Sequence, residues 1–173
     1  AGKPRHMEIL LVRVETDSGI VGWGEAFGFA VWPATRTALE ALIAPVATGR
    51  DERDIAGIMR DLQRKFHLLG RSGPVMYAMS GLDIALWDIA GKVAGKPLAE
   101  LLGGAKRTQF DAYASLVRYG EPALAAANAK RAVERGFSAI KLHEIGVPHV
   151  KAAREAIGPD IKLMMDTNCP WTV

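Results

Sequence analysis

The sequence predicts a protein of mixed α and β structure, in which a hairpin and several helices precede alternating strands and helices of the α/β type. Three observations support this prediction. Two apolar runs flank a four-residue turn near the amino end, and apolar residues then recur at helical spacing through residues 35–104. Residues 137–168 finally have the pattern of a strand, a helix and a second strand, which is typical of a parallel sheet.

The composition indicates a soluble globular protein. Of 173 residues, 49% are hydrophobic and 24% are charged, and no apolar run is long enough to span a bilayer. The net charge of +3 is spread along the chain without a basic stripe, so we expect neither a membrane nor nucleic acid as a partner. A single cysteine, Cys169, excludes an internal disulfide and a cysteine-rich zinc site, and it suggests a cytoplasmic location.

The hairpin is predicted from residues 7–15 and 20–25, which are rich in apolar residues and are separated by a turn that ends at Gly19. Gly22 and Gly24 invite comparison with a dinucleotide-binding fingerprint. We reject that interpretation because Phe27 occupies the position of the third glycine and no helix is predicted to begin there.

The helical region begins after an aromatic loop at residues 27–33, which is either a lid over a substrate or a loop that buries its own aromatic side chains. Thr35 is predicted to cap the first helix. Gly73 and Pro74 open the longest helix. Its predicted apolar stripe consists of Leu82, Ala85, Leu86, Ile89 and Val93.

Asp83 and Asp88 on that helix could be taken for a catalytic pair of carboxylates. A separation of five residues places them about 140° apart around a helix, so they do not share a face. We interpret them as polar positions on either side of the buried stripe.

A family resemblance lies in this same region. The segment SGLDIALWDIAGK at residues 80–92, continued by GKPLAELLGG at residues 95–104, resembles the hinge between the capping domain and the barrel in the mandelate racemase and muconate lactonizing enzyme family of the enolase superfamily. The hairpin that ends at Glu25 resembles the capping domain of that family. The resemblance implies an α+β capping domain over residues 1–104 and the first three strands of a (β/α) barrel over residues 105–173.

The three barrel strands are expected at residues 110–116, 137–143 and 161–168. Because side chains alternate along a strand, Lys141 and His143 share one face of the second strand. By the same alternation, Asp166 and Asn168 are predicted to share a face of the third. In a parallel sheet the carboxyl ends of the strands meet, so a lysine, a histidine and a carboxylate should converge there.

The resemblance also implies the chemistry of these residues. Family members remove the proton α to a substrate carboxylate with a base from the second strand, and Mg²⁺ bound by acids on strands three, four and five stabilises the enediolate. Asp166 matches the first metal ligand, and Asn168 is expected either to contact the substrate or to support a metal ligand from behind. Lys141 and His143 match a Lys-x-Lys motif with histidine at its second position. Lys141 would contact the substrate carboxylate and His143 would act as base; alternatively, His143 only binds substrate or orients the metal.

The resemblance therefore implies a Mg²⁺-dependent enzyme that acts on a small carboxylate, and analogy with the family favours an acid-sugar dehydratase; we also expect a homo-oligomer. A racemase, epimerase or cycloisomerase would use the same residues. A complete barrel needs about 250 residues, whereas only residues 108–173 follow the hinge. A non-catalytic fragment that pairs with another chain is therefore the alternative from a different class, and the intact mass of the native protein would distinguish the two.

Overall fold

A computed structural model describes residues 8–168, and the chain divides into two units, Ala1–Lys106 and Arg107–Val173. In the first unit, β1 and β2 form an antiparallel hairpin that is followed by helices. Its elements are β1 (Leu10–Glu15), β2 (Val21–Ala26), a 3₁₀ turn (Phe29–Val31), α1 (Trp32–Ala38), a π-helical segment (Leu39–Ile43), α2 (Ala44–Ala47), α3 (Ile55–Lys65), a second 3₁₀ turn (His67–Leu69), α4 (Pro74–Ala94) and α5 (Leu98–Leu101).

The hairpin packs on α4 through glycine. Gly22 and Gly24 lie on the face of β2 that contacts the helix, and a Cβ atom at Gly24 would collide with the carbonyl oxygen of Gly81. A Cβ atom at Gly22 would collide with the carbonyl oxygen of Ala85 in the same way. These glycines therefore allow two backbones to approach closely, which is the structural reason for the pattern that superficially resembles a nucleotide-binding motif.

The core of the first unit is built by α3 and α4 with the segment around Ile43. Its buried members are Ala38, Ile43, Ile55, Ile58, Leu62, Ala78, Met79, Leu82, Leu86 and Ile89. The predicted stripe on α4 is confirmed for four of its five residues. Val93 is 58% exposed, so its assignment to the buried stripe is wrong; it lies in the last turn of α4, where its side chain stays open to solvent.

The prediction that Thr35 caps the first helix is wrong. The helix already begins at Trp32 with Pro33 in its first turn, and Thr35 is fully buried inside it. Its hydroxyl donates a hydrogen bond to the carbonyl oxygen of Phe27 at 3.1 Å, which joins the helix to the preceding loop. Phe27 and Phe29 are more than half exposed, so the loop does not bury these two aromatic residues in the core.

The second unit is a three-stranded parallel sheet in the order β3, β4, β5, with a helix in each connection. Its elements are β3 (Ala114–Ser115), α6 (Pro122–Glu134), β4 (Ala139–Leu142), α7 (Val147–Ile157) and β5 (Lys162–Met165). The strand, helix, strand pattern is thus confirmed. The first strand is much shorter than residues 110–116, because only its last part pairs with β4.

One face of this sheet forms the core of the second unit. Ile140 and Leu142 of β4 are fully buried against Ala129 and Ala132 of α6 and Ala153 and Ile157 of α7. Gly136 follows α6 with a φ of +93°, a conformation that favours glycine and that commonly ends a helix. Among residues 8–168, no helix has the length and apolar character needed to cross a bilayer.

Candidate active site

Strand β4 directs Lys141 away from the helices. Because side chains alternate, the burial of Ile140 and Leu142 under α6 and α7 leaves Lys141 on the opposite face, with 18% of its side chain exposed. His143 lies two residues after Lys141, just beyond the end of the strand, and therefore on the same face. Its side chain is 28% exposed. The predicted pairing of Lys141 and His143 on one side of the sheet agrees with this arrangement.

Asp166 stands directly after β5 and next to both of these side chains. Its backbone N–H donates to the carbonyl oxygen of Leu142 at 2.9 Å, which continues the pairing of the two strands by one residue. Its Oδ2 accepts a hydrogen bond from Lys141 Nζ at 3.0 Å and lies 3.6 Å from His143 Nδ1. The amine, the imidazole and the carboxylate that were predicted to converge therefore meet at the carboxyl ends of two adjacent strands.

The surroundings of Asp166 favour its ionised form. The backbone N–H of Asn168 donates to Oδ1 at 3.0 Å, and Lys141 donates to Oδ2. These two hydrogen bonds, together with the positive charge of Lys141, lower the pKa of the Asp166 carboxyl below its ordinary value. With 44% of its side chain exposed, this carboxylate remains accessible to a ligand.

The ring of His143 is held without a hydrogen bond at Nδ1. That atom is buried and has no hydrogen-bond partner, because 3.6 Å to the Asp166 oxygen exceeds hydrogen-bonding distance. The nearby negative charge favours the tautomer that carries its proton on Nδ1, which leaves Nε2 as the basic nitrogen.

Asn168 differs from its predicted geometry. Strand β5 ends at Met165, and Asn168 adopts a left-handed conformation with a φ of +58°. The prediction that Asp166 and Asn168 share a strand face is therefore wrong, because a local turn replaces the strand. Asn168 contacts Asp166 through its backbone N–H, and the residue is exposed. Its role as a substrate contact stays a prediction.

Two residues near the site were missed by sequence reasoning. Glu144 is only 2% exposed, and its Oε1 accepts hydrogen bonds from the backbone N–H groups of Tyr119 at 2.6 Å and Gly120 at 3.2 Å. Arg118 donates from Nε to the carbonyl oxygen of His143 at 2.9 Å. The alternation that buries residues 140 and 142 also places residue 144 on the covered side, and this signal could have indicated a buried glutamate.

The donors at this site suit a divalent cation only in part. Mg²⁺ prefers carboxylate and other oxygen ligands, and Asp166 supplies one accessible carboxylate. Within residues 8–168, no group of three or more His, Cys, Asp or Glu side chains is placed to hold a metal ion. Asp166 therefore fits as one ligand of a divalent cation, and residues 8–168 do not place the other ligands beside it.

Comparison with protein families matches both units. Residues 3–103 match the model of the mandelate racemase/muconate lactonizing enzyme amino-terminal domain, and residues 124–173 match the enolase carboxy-terminal domain-like model. The chain belongs to the mandelate racemase/muconate lactonizing enzyme family. The family assignment confirms the resemblance seen in residues 80–104 and the fold, a capping domain followed by the start of a barrel.

Curated relatives of this family member include a dehydratase and a cycloisomerase. Arabinonate dehydratase from Saccharolobus solfataricus is 34% identical over 175 residues, which cover 96% of this chain and 47% of the relative. D-galactarolactone cycloisomerase from Agrobacterium fabrum is 37% identical over 173 residues, which cover 95% of this chain and 45% of the relative. The chain thus spans about half the length of the curated relatives it matches.

Solved structures of the family agree with the fold. A member of the enolase superfamily from Agrobacterium tumefaciens is similar with a TM-score of 0.85 at 34% identity, over 95% of this chain and 44% of that one. A mandelate racemase/muconate lactonizing protein from Paracoccus denitrificans, solved in complex with magnesium, is similar with a TM-score of 0.78 at 31% identity. That match covers 91% of this chain and 46% of the other.

Proposed function

We propose that the protein to which this chain belongs is a Mg²⁺-dependent enzyme that removes the proton α to the carboxylate of an acid sugar. The convergence of Lys141, His143 and Asp166 at the ends of β4 and β5 is the observation that carries the proposal. Membership of the family supports the reaction class, and the names of the relatives support the substrate class. In this proposal, residues 1–104 form the cap and residues 105–173 belong to the barrel.

Lys141 binds the substrate in this proposal. Its ammonium group is a compact positive charge, and only 18% of the side chain is exposed, so a substrate carboxylate beside it would form a charge-assisted hydrogen bond in a partly dehydrated site. The same charge keeps Asp166 ionised. Lys141 thus binds the substrate carboxylate and also favours the ionised form of Asp166.

His143 accepts the proton. With the ring proton on Nδ1, beside Asp166, the lone pair of Nε2 takes the α-proton and the substrate becomes an enediolate. When bound, Mg²⁺ supplies electrostatic stabilisation of the negative charge that develops on the substrate oxygens. Asp166 is the residue of this chain that would hold the cation.

Dehydration is the outcome that we propose for the enediolate, with loss of the β-hydroxyl group as water. The cycloisomerase among the relatives supports the alternative, in which the same proton is removed from a lactone substrate. A panel of aldonates and aldarolactones, incubated with full-length protein and Mg²⁺ and followed by ¹H NMR, separates the two. Formation of a 2-keto-3-deoxy acid supports dehydration, and rearrangement of a lactone without loss of water supports cycloisomerisation.

Replacement of His143 tests the proposed proton transfer. We expect His143→Ala in the full-length protein to reduce exchange of the substrate α-proton with solvent deuterium by at least about 10²-fold, a typical contribution of general base catalysis. Mg²⁺ affinity, measured by calorimetry, should stay near that of the wild type. Lys151→Ala is the control, because this exposed lysine lies on α7 of the same unit. Exchange at the wild-type rate in His143→Ala would remove His143 from the mechanism.

A further inference from the structure

The loops that follow β3 and β4 are joined by two reciprocal links at the position of His143. Arg118 of the first loop donates from Nε to the backbone carbonyl oxygen of His143 at 2.9 Å. Glu144 of the second loop accepts from the backbone N–H groups of Tyr119 and Gly120. Each loop therefore holds the backbone of the other, and the peptide bond between residues 143 and 144 lies at the centre of the connection.

The link through Glu144 is costly to break. A glutamate side chain that is only 3% exposed needs hydrogen bonds to offset the lost hydration of its carboxylate, and Oε1 obtains them from two backbone donors. Oε2 faces the imidazole of His149, whose Nε2 lies 3.8 Å away. Loss of the carboxylate would leave the two N–H groups in a part-buried environment without an acceptor.

The imidazole of His143 depends on this backbone for its position. Nδ1 is buried without a hydrogen-bond partner, so no hydrogen bond at that atom orients the ring. Apart from the charge of Asp166, 3.6 Å from Nδ1, the direction of the side chain depends on its backbone, which Arg118 holds at residue 143 and Glu144 holds at the next residue. Since a misplacement of about 1 Å costs a reaction about 10²-fold, movement of this peptide would be visible in the rate.

We propose that Glu144 and Arg118 are positioning residues that fix the backbone at His143 and thereby aim its imidazole at the α-proton of the substrate. This inference rests on the proposed function, because it requires His143 to accept a proton. Neither side chain needs to touch the substrate. Both act through the peptide that carries the base.

The test compares substitutions in the full-length enzyme loaded with Mg²⁺. We expect Glu144→Ala to lower kcat for α-proton exchange by about 10- to 100-fold while KM and Mg²⁺ affinity stay within about twofold. Glu144→Gln keeps an acceptor oxygen for Tyr119 and Gly120 and should restore kcat to within about threefold of the wild type. Glu155→Ala is the matched control, because this glutamate on α7 is exposed.

Arg118→Met provides a second variant that does not disturb a buried group. Arg118 is exposed, so its loss should leave thermal unfolding nearly unchanged and still lower kcat with little effect on KM. This variant keeps the proposal testable if Glu144→Ala does not fold. Wild-type kcat in Arg118→Met and in folded Glu144→Ala, or a rise in KM alone, would overturn the inference.

The outcomes for the two proposals are distinguishable. If His143→Ala abolishes exchange while Arg118→Met and Glu144→Ala exchange normally, His143 is the base but is not positioned by these residues. If His143→Ala exchanges at the wild-type rate, or the wild type shows no exchange, the proposed function fails and this inference fails with it.

Discussion

At the scale of single residues, the alternation of side chains along two short strands predicted most of the candidate site. The burial of Ile140 and Leu142 fixes which side Lys141 and His143 occupy, and the parallel pairing of β4 with β5 brings Asp166 beside them. Asn168 could not be placed in this way, because a turn stabilised by its own hydrogen bond to Asp166 replaces the strand there. Alternation could have indicated that Glu144 is buried, but its partners could not be predicted, because two backbone N–H groups more than 20 residues earlier carry no recognisable sequence pattern.

The pKa of Asp166 should respond to Lys141. We expect Lys141→Met to raise this pKa toward its ordinary value, because the ammonium group that favours the carboxylate is lost. The pKa should remain somewhat low, since the hydrogen bond from Asn168 is the larger cause of the shift. Titration of the side-chain carboxyl carbon by ¹³C NMR in metal-free protein measures the change.

The sign of the accompanying effect on stability follows from the lowered pKa. A carboxyl whose pKa is lower in the folded state stabilises the fold above its unfolded pKa, and this stabilisation is lost as the pH falls through the folded value. Lys141→Met brings the folded-state pKa of Asp166 closer to its unfolded-state pKa. The free energy of unfolding of this variant should therefore fall less than that of the wild type as the pH is lowered. Lys151→Met is the control and should leave the pKa of Asp166 as it is in the wild type. A pKa of Asp166 in Lys141→Met that is equal to or lower than the wild-type value would contradict the interpretation.

At the scale of secondary-structure elements, the hairpin and helix α4 were predicted separately, but their contact was not. Gly24 and Gly81 are 57 positions apart, and glycine spacing within one strand gives no information about a partner so distant in sequence. Asp88 and Lys92 of α4 complete the contact through the backbone of β2. Asp88 accepts from the N–H of Trp23 at 2.8 Å, and Lys92 donates to the carbonyl oxygen of Val21 at 2.8 Å. The contact with β2 thus gives Asp88 a structural role in place of a catalytic one.

Substitution of Gly24 should separate the hairpin from α4. We expect Gly24→Ala to reduce the free energy of unfolding by about 3 kcal/mol or more, because the added Cβ meets backbone that cannot rotate away. Gly49→Ala is the control: a Cβ there meets open space, and its φ of +77° should cost only about 1–2 kcal/mol. Urea unfolding followed by circular dichroism measures the free energy of unfolding of both variants. Equal losses in the two variants would show that the close approach of the two backbones does not restrict residue 24.

At the scale of the whole molecule, the chain consists of two units with separate cores. Leu62 and Leu86 belong to the core of the first, and Ile140 and Ile157 to that of the second. Local patterns predicted the elements of each unit, but the assignment to a capping domain and a barrel depended on the family resemblance at residues 80–104. Periodicity in a short stretch does not determine how many strands a sheet will finally contain.

The first unit should fold without the second. Its buried core is formed by residues within Ala1–Lys106, so we expect residues 1–106 to unfold in one cooperative thermal transition. Ile58→Asp in the same segment is the negative control, because it places a charge at a fully buried position. A gradual loss of helical signal without a transition would show that this core is insufficient alone.

The glycine contact between the hairpin and α4 also determines where the capping unit can vary. Strand β2 packs on α4 through Gly22 and Gly24, and the exposed side chains of Leu11 and Glu25 take no part in this packing. Amino acid changes at these two paired positions leave the contact between the hairpin and α4 intact. Natural divergence or a laboratory library can therefore reshape the outer surface of the cap, while the strand that presents it stays in place.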